Sequence, residues 1–164
     1  MQKLSVEELK SIVRNAPLIA IDLILENPEG KFLLGLRNNQ PAKGFWFVPG
    51  GRVLKNESLD RAFSRIAKAE TGLELMFSDS VFSGIYQHMY PNENFSGDSS
   101  FGTHYVVLAY RIKLNEEIKS LPKDQHTEYW WASKEDILDN PKVHQNAKNY
   151  FNGHASFSEP ARKK

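Results

Sequence analysis

The sequence predicts an α+β fold in which a mixed β-sheet is sandwiched between α-helices. Three observations predict it. Short aliphatic and aromatic runs recur along the chain, bounded by Gly, Pro and Asn turn signals. One central segment has helical period instead: Leu59, Ala62, Phe63 and Ile66 fall at i, i+3, i+4 and i+7. Strands and helices do not alternate regularly, which argues against a doubly wound sheet.

Each element follows from local chemistry. Residues 5–15 read as a short amphipathic helix. Ser5 and Glu8 have capping-box spacing, Val6, Leu9, Ile12 and Val13 form an apolar stripe, and Pro17 ends it. So short a helix needs a surface to dock on, its own body or another subunit. PLIAIDLILE, 17–26, reads as a buried strand with Asp22 in its middle. The turn at Asn27–Gly30 returns the chain into a second strand, KFLLGLR, 31–37. A polar loop over 38–44 leads to a short aromatic strand, FWFV, 45–48. The central helix follows, with Asn56 as its N-cap and Gly72 in the left-handed position after its end. VFSGIYQHMY, 81–90, and THYVVLAYRIK, 103–113, read as strands. Between them 91–102 has turn composition, and a loop of that length suits a substrate lid or a mobile segment. HTEYWWA, 126–132, reads as the last strand. Ser133 with Asp136 caps a short helix, a second covers 142–151, and the tail over 152–164 is expected to fray.

Composition bounds the function. A chain of 164 residues, 40% apolar and 25% charged, suits one domain spanning 1–164. A net charge of +1 gives no reason to expect a nucleic-acid or membrane surface. There is no cysteine, hence no disulfide and no thiolate metal site. The N-terminal stretch lacks a signal-peptide core and no apolar run reaches the length of a membrane span. A cytoplasmic protein is the default expectation.

Glu70 poses the chemical question. It lies one helical step beyond Ile66, along the edge of the apolar stripe. Burying a carboxylate is costly unless something pairs with it. Either Arg65 or a similar cation pairs with Glu70, or Glu70 holds a metal.

Gly51, Glu57, Arg65, Glu70, Gly72 and Leu73 have the spacing of the Nudix box, and the segment 50–73 resembles that family. The resemblance implies a sheet between helices and a loop–helix–loop that holds magnesium at a pyrophosphate. The box is incomplete. Ile66 stands where the family has a glutamate after the arginine, and Ala69 where it has one before Glu70. The glutamates that usually gather several magnesium ions for attack on phosphorus are reduced to one helix carboxylate, enough for a single ion with phosphate oxygens and water.

That loss is similar to the GDP-mannose mannosyl hydrolases within the family. So are PLIAIDLILEN at 17–27, FLLGLRNNQPAKGFWFVPGGRV at 32–53, YQHMY at 86–90, NFSG at 94–97, THYVVL at 103–108 and DQH at 124–126. The resemblance implies hydrolysis of GDP-α-D-mannose to GDP and β-mannose by water attack on the anomeric carbon, with GDP-glucose left open as a further substrate. It implies one Mg2+ per subunit, replaceable by Mn2+, held by the Gly50 carbonyl, Glu70 and Gln125. It makes His126 the general base and Arg37 and Arg52 the groups that neutralise departing GDP, with Tyr105 as a hydrogen-bond donor to the diphosphate. Asp22 and His88 are expected at the substrate, Arg65 and Glu57 behind the metal ligands. A homodimer is implied. Taken singly, Gln125 reads as a surface glutamine, His126 as a structural histidine, Arg37 as a strand end and Tyr105 as a strand aromatic. Two other classes remain open: a Nudix pyrophosphatase cutting the phosphoanhydride, and a non-catalytic nucleotide-binding module. No single aromatic stands out as the partner of the guanine.

Overall fold

A computed structural model describes residues 4–116, 118, 120–122 and 126–153. The expected α+β architecture is present: a mixed seven-stranded sheet with helices on both faces. Strand β1 (Leu18–Glu26) is central, and its aliphatic run is explained by burial on both sides. Its odd positions Ile21, Leu23 and Leu25 pack against Ala62, Phe63, Ile66 and Ala67 of α2 (Leu59–Thr71). Its even positions Ala20 and Ile24 face the other way, towards Ile137 of α3 (Lys134–Asp139) and Ala147, Tyr150 and Phe151 of α4 (Gln145–Asn152). Each large apolar side chain so buried contributes about 1.5–3 kcal/mol, enough to hold helices too short to stand alone.

The hydrogen-bond pattern of β1 positions the site. One edge pairs in parallel with β6 (Thr103–Lys113) over its whole length, and β6 pairs antiparallel with β5 (Val81–Tyr90). The other edge is shared. At Glu26 it meets Phe32 of β2 (Phe32–Arg37) through the Asn27–Gly30 turn. At Ala20, Ile21 and Asp22 it pairs instead with β4 (Gly50–Arg52). Strand β2 turns away to pair with β3 (Trp46–Phe47) and β7 (His126–Ala132). The sheet therefore opens between β1 and β2.

Several expectations are met at the level of single bonds. Ser5 and Glu8 form the capping box of α1 (Val6–Asn15), and the helix docks on its own body through Val13, against Leu18 and Phe101. Gly72 takes φ 75° after α2. The Ser133 hydroxyl accepts from the Asp136 amide at the start of α3. The N-cap of α2 is corrected: it is Ser58, whose backbone is extended as a cap requires, whereas Asn56 takes φ 64° in the preceding turn. The expected strand over 45–48 is shortened to β3, and an unforeseen strand, β4, follows Pro49, which has no N–H to donate to a ladder while its carbonyl accepts from Leu23. The segment 91–102 is organised by Asn94. Its buried amide donates to the carbonyls of Asp98 and Phe101, and its oxygen accepts from the Ser96 amide. The fraying expected for the tail falls almost wholly outside the described residues. No helix among them is long and apolar enough to cross a membrane.

Gly35 in β2 is fixed by close approach. A Cβ there would lie 2.3 Å from Cδ2 of His126, whose ring covers the position. Gly35→Ala is expected to destabilise the protein by about 1–3 kcal/mol, seen as a lower urea midpoint at unchanged slope. In a His126→Ala background most of that cost should disappear. Equal costs in both backgrounds would refute the contact.

Candidate active site

A cleft of about 590 Å³ lies over β1, β4, β5 and β6 at the end of β2. Asp22, Arg37, Gly50, Arg52, His88 and Tyr105, six of the residues singled out from sequence, line it together. The loop over 38–43 forms one lip, and Phe95, Ser96 and Gly97 of the 91–102 segment form another. Glu93 ties the two lips, its carboxylate accepting from the Ala42 amide at 2.8 Å.

Backbone geometry sets each side chain. Asp22 lies opposite Gly50 in the β1–β4 ladder, and a Cβ on Gly50 would fall 2.1 Å from Asp22 Oδ1. Only glycine lets the carboxylate sit there. Arg37 ends β2 beside an irregularity in the pairing with β7. Its Nε donates to the Pro41 carbonyl at 2.8 Å, which holds the guanidinium at the cleft. Arg52 is held through its backbone: Arg65 Nη2 donates to its carbonyl at 2.8 Å. Arg65 also grips Glu57 through two bonds of 2.6 and 2.8 Å, and Glu57 Oε2 accepts from the Leu54 amide. This corrects one alternative for Glu70. Arg65 is committed to Glu57, a partner on the loop before the helix, and its fork fits that carboxylate bidentately.

Glu70 is only 5% exposed. Burial raises its carboxyl to about 7 despite the favourable Arg37 charge, with the Asp22 charge adding to the rise. The closest ionisable contact given by the geometry is His126 Nδ1 at 3.6 Å. Burial and Arg37 push that imidazole down to about 4, so the contact joins a carboxyl to a neutral ring. His126 is 1% exposed, lies against Gly35, and its Nε2 has no hydrogen-bond partner among the described residues. Neither Glu70 nor His126 forms part of the cleft wall, and Gln125 lies outside the described residues.

A metal ion fits this chemistry. Glu70 is a buried carboxylate with no Lys or Arg ion pair among the described residues, on the helix that packs against β4. No cluster of three or more His, Cys, Asp or Glu side chains suited to a metal occurs among the described residues. A cation here would draw on one carboxylate plus carbonyl and amide oxygens, donors that hard cations accept. The two departures from the box have structural places. Ile66 is buried in the α2 core, and a Cβ on Gly51 would sit 3.1 Å from its Cγ1. Ala69 is exposed at the edge of the same helix face.

Sequence reasoning missed Gly35 and Tyr150. Tyr150 donates a hydrogen bond to Asp22 Oδ2 and lies 3.1 Å from His88 Nε2. Only the aromatic composition of α4 hinted at it. Burial, then the His144 charge, push His88 down to about 3, so the folded protein holds it neutral. The unfolded chain, with His88 near its usual 6.5, binds a proton that the native state refuses. The His88 contribution to stability is therefore complete above about pH 6.5 and is lost as pH falls towards 3. Urea titrations of the protein and of His88→Gln should converge, or cross in favour of the variant, over that window. A stability difference independent of pH would show that His88 is not held neutral.

The NUDIX domain family model matches residues 16–152. The chain is 39% identical over 111 residues to the low-salt glycan biosynthesis protein Agl8 of Haloferax volcanii, covering 68% of each. It is 44% identical over 57 residues to an ADP-ribose pyrophosphatase of Methanocaldococcus jannaschii, covering 35% of this chain and 33% of that one. Among solved structures it is similar to the MutT protein of Methanosarcina mazei Go1, with a TM-score of 0.66, 23% identity and coverage of 84% and 92%. It is also similar to the NUDIX domain of Shewanella oneidensis NrtR complexed with ADP ribose, with a TM-score of 0.59, 19% identity and coverage of 87% and 92%. These structures share the fold. With its box on a loop and helix beside the cleft, the chain belongs to the NUDIX domain family, hydrolases of nucleoside diphosphate derivatives that generally use divalent metal ions such as Mg2+.

Proposed function

We propose that the protein hydrolyses GDP-α-D-mannose to GDP and β-D-mannose, water attacking the anomeric carbon with inversion; GDP-glucose is a second candidate substrate. The observation that carries this reading is the replacement of two box carboxylates by Ile66 and Ala69. One helix carboxylate, Glu70, is left for metal binding. Attack on phosphorus draws on several metal ions to activate water and screen the phosphoryl group. Attack on carbon needs the diphosphate stabilised only as a leaving group. A single Mg2+ held by Glu70, the Gly50 carbonyl and Gln125, or Mn2+ in its place, would supply part of that charge when bound.

The side chains of the cleft support the same division of labour. Arg37 and Arg52 both line the cleft, where they would meet the charge that develops on GDP as the sugar–oxygen bond breaks. Tyr105 presents a hydroxyl to the same space. The attacking water must give up a proton. His126 is assigned that proton, and its burial means that its ring has to become accessible when substrate binds. Asp22 is the competing base, since it already lines the cleft and burial raises it to about 6. The match to a glycan biosynthesis protein over 68% of the chain supports a sugar nucleotide as substrate. The shorter match to an ADP-ribose pyrophosphatase favours, as a second reading, cleavage of the phosphoanhydride. We assign the protein to the cytoplasm as a homodimer.

Two measurements decide. With Mg2+ and GDP-mannose in heavy-oxygen water, mass spectrometry should find the label in mannose and none in GDP. Label in a phosphate product would establish the pyrophosphatase reading, and no turnover of any nucleotide sugar would favour a non-catalytic module. His126→Gln should lower kcat by roughly 100- to 10,000-fold with little change in KM. Near-normal turnover in that variant, with a comparable loss in Asp22→Asn, would transfer the base to Asp22.

A further inference from the structure

Tyr150 reaches the cleft floor from behind. It belongs to α4, outside the box, and does not line the cleft, whereas Asp22 and His88 do. Its hydroxyl lies between them, bonded to Asp22 Oδ2 and 3.1 Å from His88 Nε2. All three are buried: Asp22 is 7%, His88 4% and Tyr150 4% exposed. The Tyr150 ring is fixed edge-on against Tyr86, with centroids 4.6 Å apart, and the His88 ring edge-on against Phe47.

Proton counting gives this chain a direction. A hydroxyl has one proton, and an ionised carboxylate can only accept. The Tyr150 proton therefore goes to Asp22. The Tyr150 oxygen then faces His88 with lone pairs alone, so His88 Nε2 must be the donor. A neutral imidazole carries one proton, which leaves Nδ1 of His88 as an acceptor. His88 is held neutral by its surroundings.

We propose that Tyr150 is a positioning residue of the active site, which fixes His88 as its Nε2–H tautomer and holds the Asp22 carboxylate in place by donating to one of its oxygens. The pair then offers acceptors and no donor. Such a floor binds hydroxyl groups and disfavours phosphate oxygens, which are themselves acceptors, so the sugar end of the substrate lies at Asp22 and His88, and the diphosphate at Arg37 and Arg52. The substrate orientation rests on the sugar-nucleotide reading above; the proton arrangement does not.

Tyr150→Phe removes the hydroxyl and keeps the ring against Tyr86. Long-range proton–nitrogen NMR of the substrate-free protein, labelled at histidine, should show the His88 proton on Nε2. In Tyr150→Phe it should show a mixture of tautomers. The same variant should lose on the order of 10- to 100-fold in kcat on GDP-mannose, with GDP affinity unchanged. Tyr86→Phe, which removes a hydroxyl from the same layer outside the chain, should leave both readouts as they were, so a general loss of packing is told apart. A proton on Nδ1 of His88 in the unaltered protein would overturn the proposal, as would a Tyr150→Phe variant with unchanged kcat and unchanged spectrum. If GDP-mannose is not turned over at all, the substrate reading fails and the His88 spectrum still decides the role of Tyr150.

Discussion

The structure depends on keeping two carboxylates, Asp22 and Glu70, buried beside a single guanidinium. Burial raises both above their ordinary range, and the Arg37 charge restrains both. Neither meets Arg37 in a direct ion pair; the guanidinium is anchored instead to the Pro41 carbonyl and faces the cleft. The charges are thus arranged for something that enters. An anionic diphosphate would complete the Arg37 environment, and a cation would complete that of Glu70. Taking a charge out of water without a partner costs several kcal/mol. A ligand that supplied the complementary charge would offset that cost.

Room for this arrangement comes from β1 changing partners along one edge. Pairing with β2 at Glu26 and with β4 at Ala20–Asp22 leaves a wedge whose floor is Asp22. Glycine makes the wedge tight. Gly50 lets the Asp22 carboxylate lie on the β4 backbone, Gly51 lets Ile66 of α2 press up from below, and Gly35 admits the His126 ring. The Glu57–Arg65 pair completes the frame by tying α2 to the Arg52 carbonyl. Glu57 and Arg65 do not line the cleft. They hold the loop that carries Gly50 and Arg52, so part of the motif encodes a backbone path and part encodes chemistry.

How much of this was legible follows from what each signal encodes. The helical period of α2, its closing Gly72 and the capping pairs at Ser5 and Ser133 are local, and they read correctly. The box spacing located Arg52 and Glu70 because the motif fixes a loop and a helix together. What failed to show depends on contacts distant in sequence. The parallel pairing of β1 with β6 spans more than eighty residues, and no period marks it. Asn56 and Ser58 are both good caps, and only the turn geometry assigns the left-handed backbone to Asn56. Gly35 reads as an ordinary strand residue until His126 is placed on it. Tyr150 reads as a core aromatic, and it is one except for a single oxygen that meets Asp22 from 128 positions away.

Ile66 shows how a local change of chemistry is compatible with an unchanged fold. In the box pattern the position carries a carboxylate; here the same helix face is apolar and packs beneath Gly51 into the α2 core. The helix is thereby stabilised where a second carboxylate would have added repulsion to an already protonation-prone Glu70. With only one buried carboxylate on the helix, the charge needed to balance it is small, and a second or third cation has nothing in the helix to hold it. In the proposed reaction the burden of stabilising an anionic substrate falls to Arg37 and Arg52, which line the cleft. Two guanidinium groups are well suited to a diphosphate that leaves with its charge and poorly suited to making a nucleophile from water beside a phosphorus. The loss of a box carboxylate and the gain of core packing at one position thus both support the proposed cleavage between the sugar carbon and the bridging oxygen.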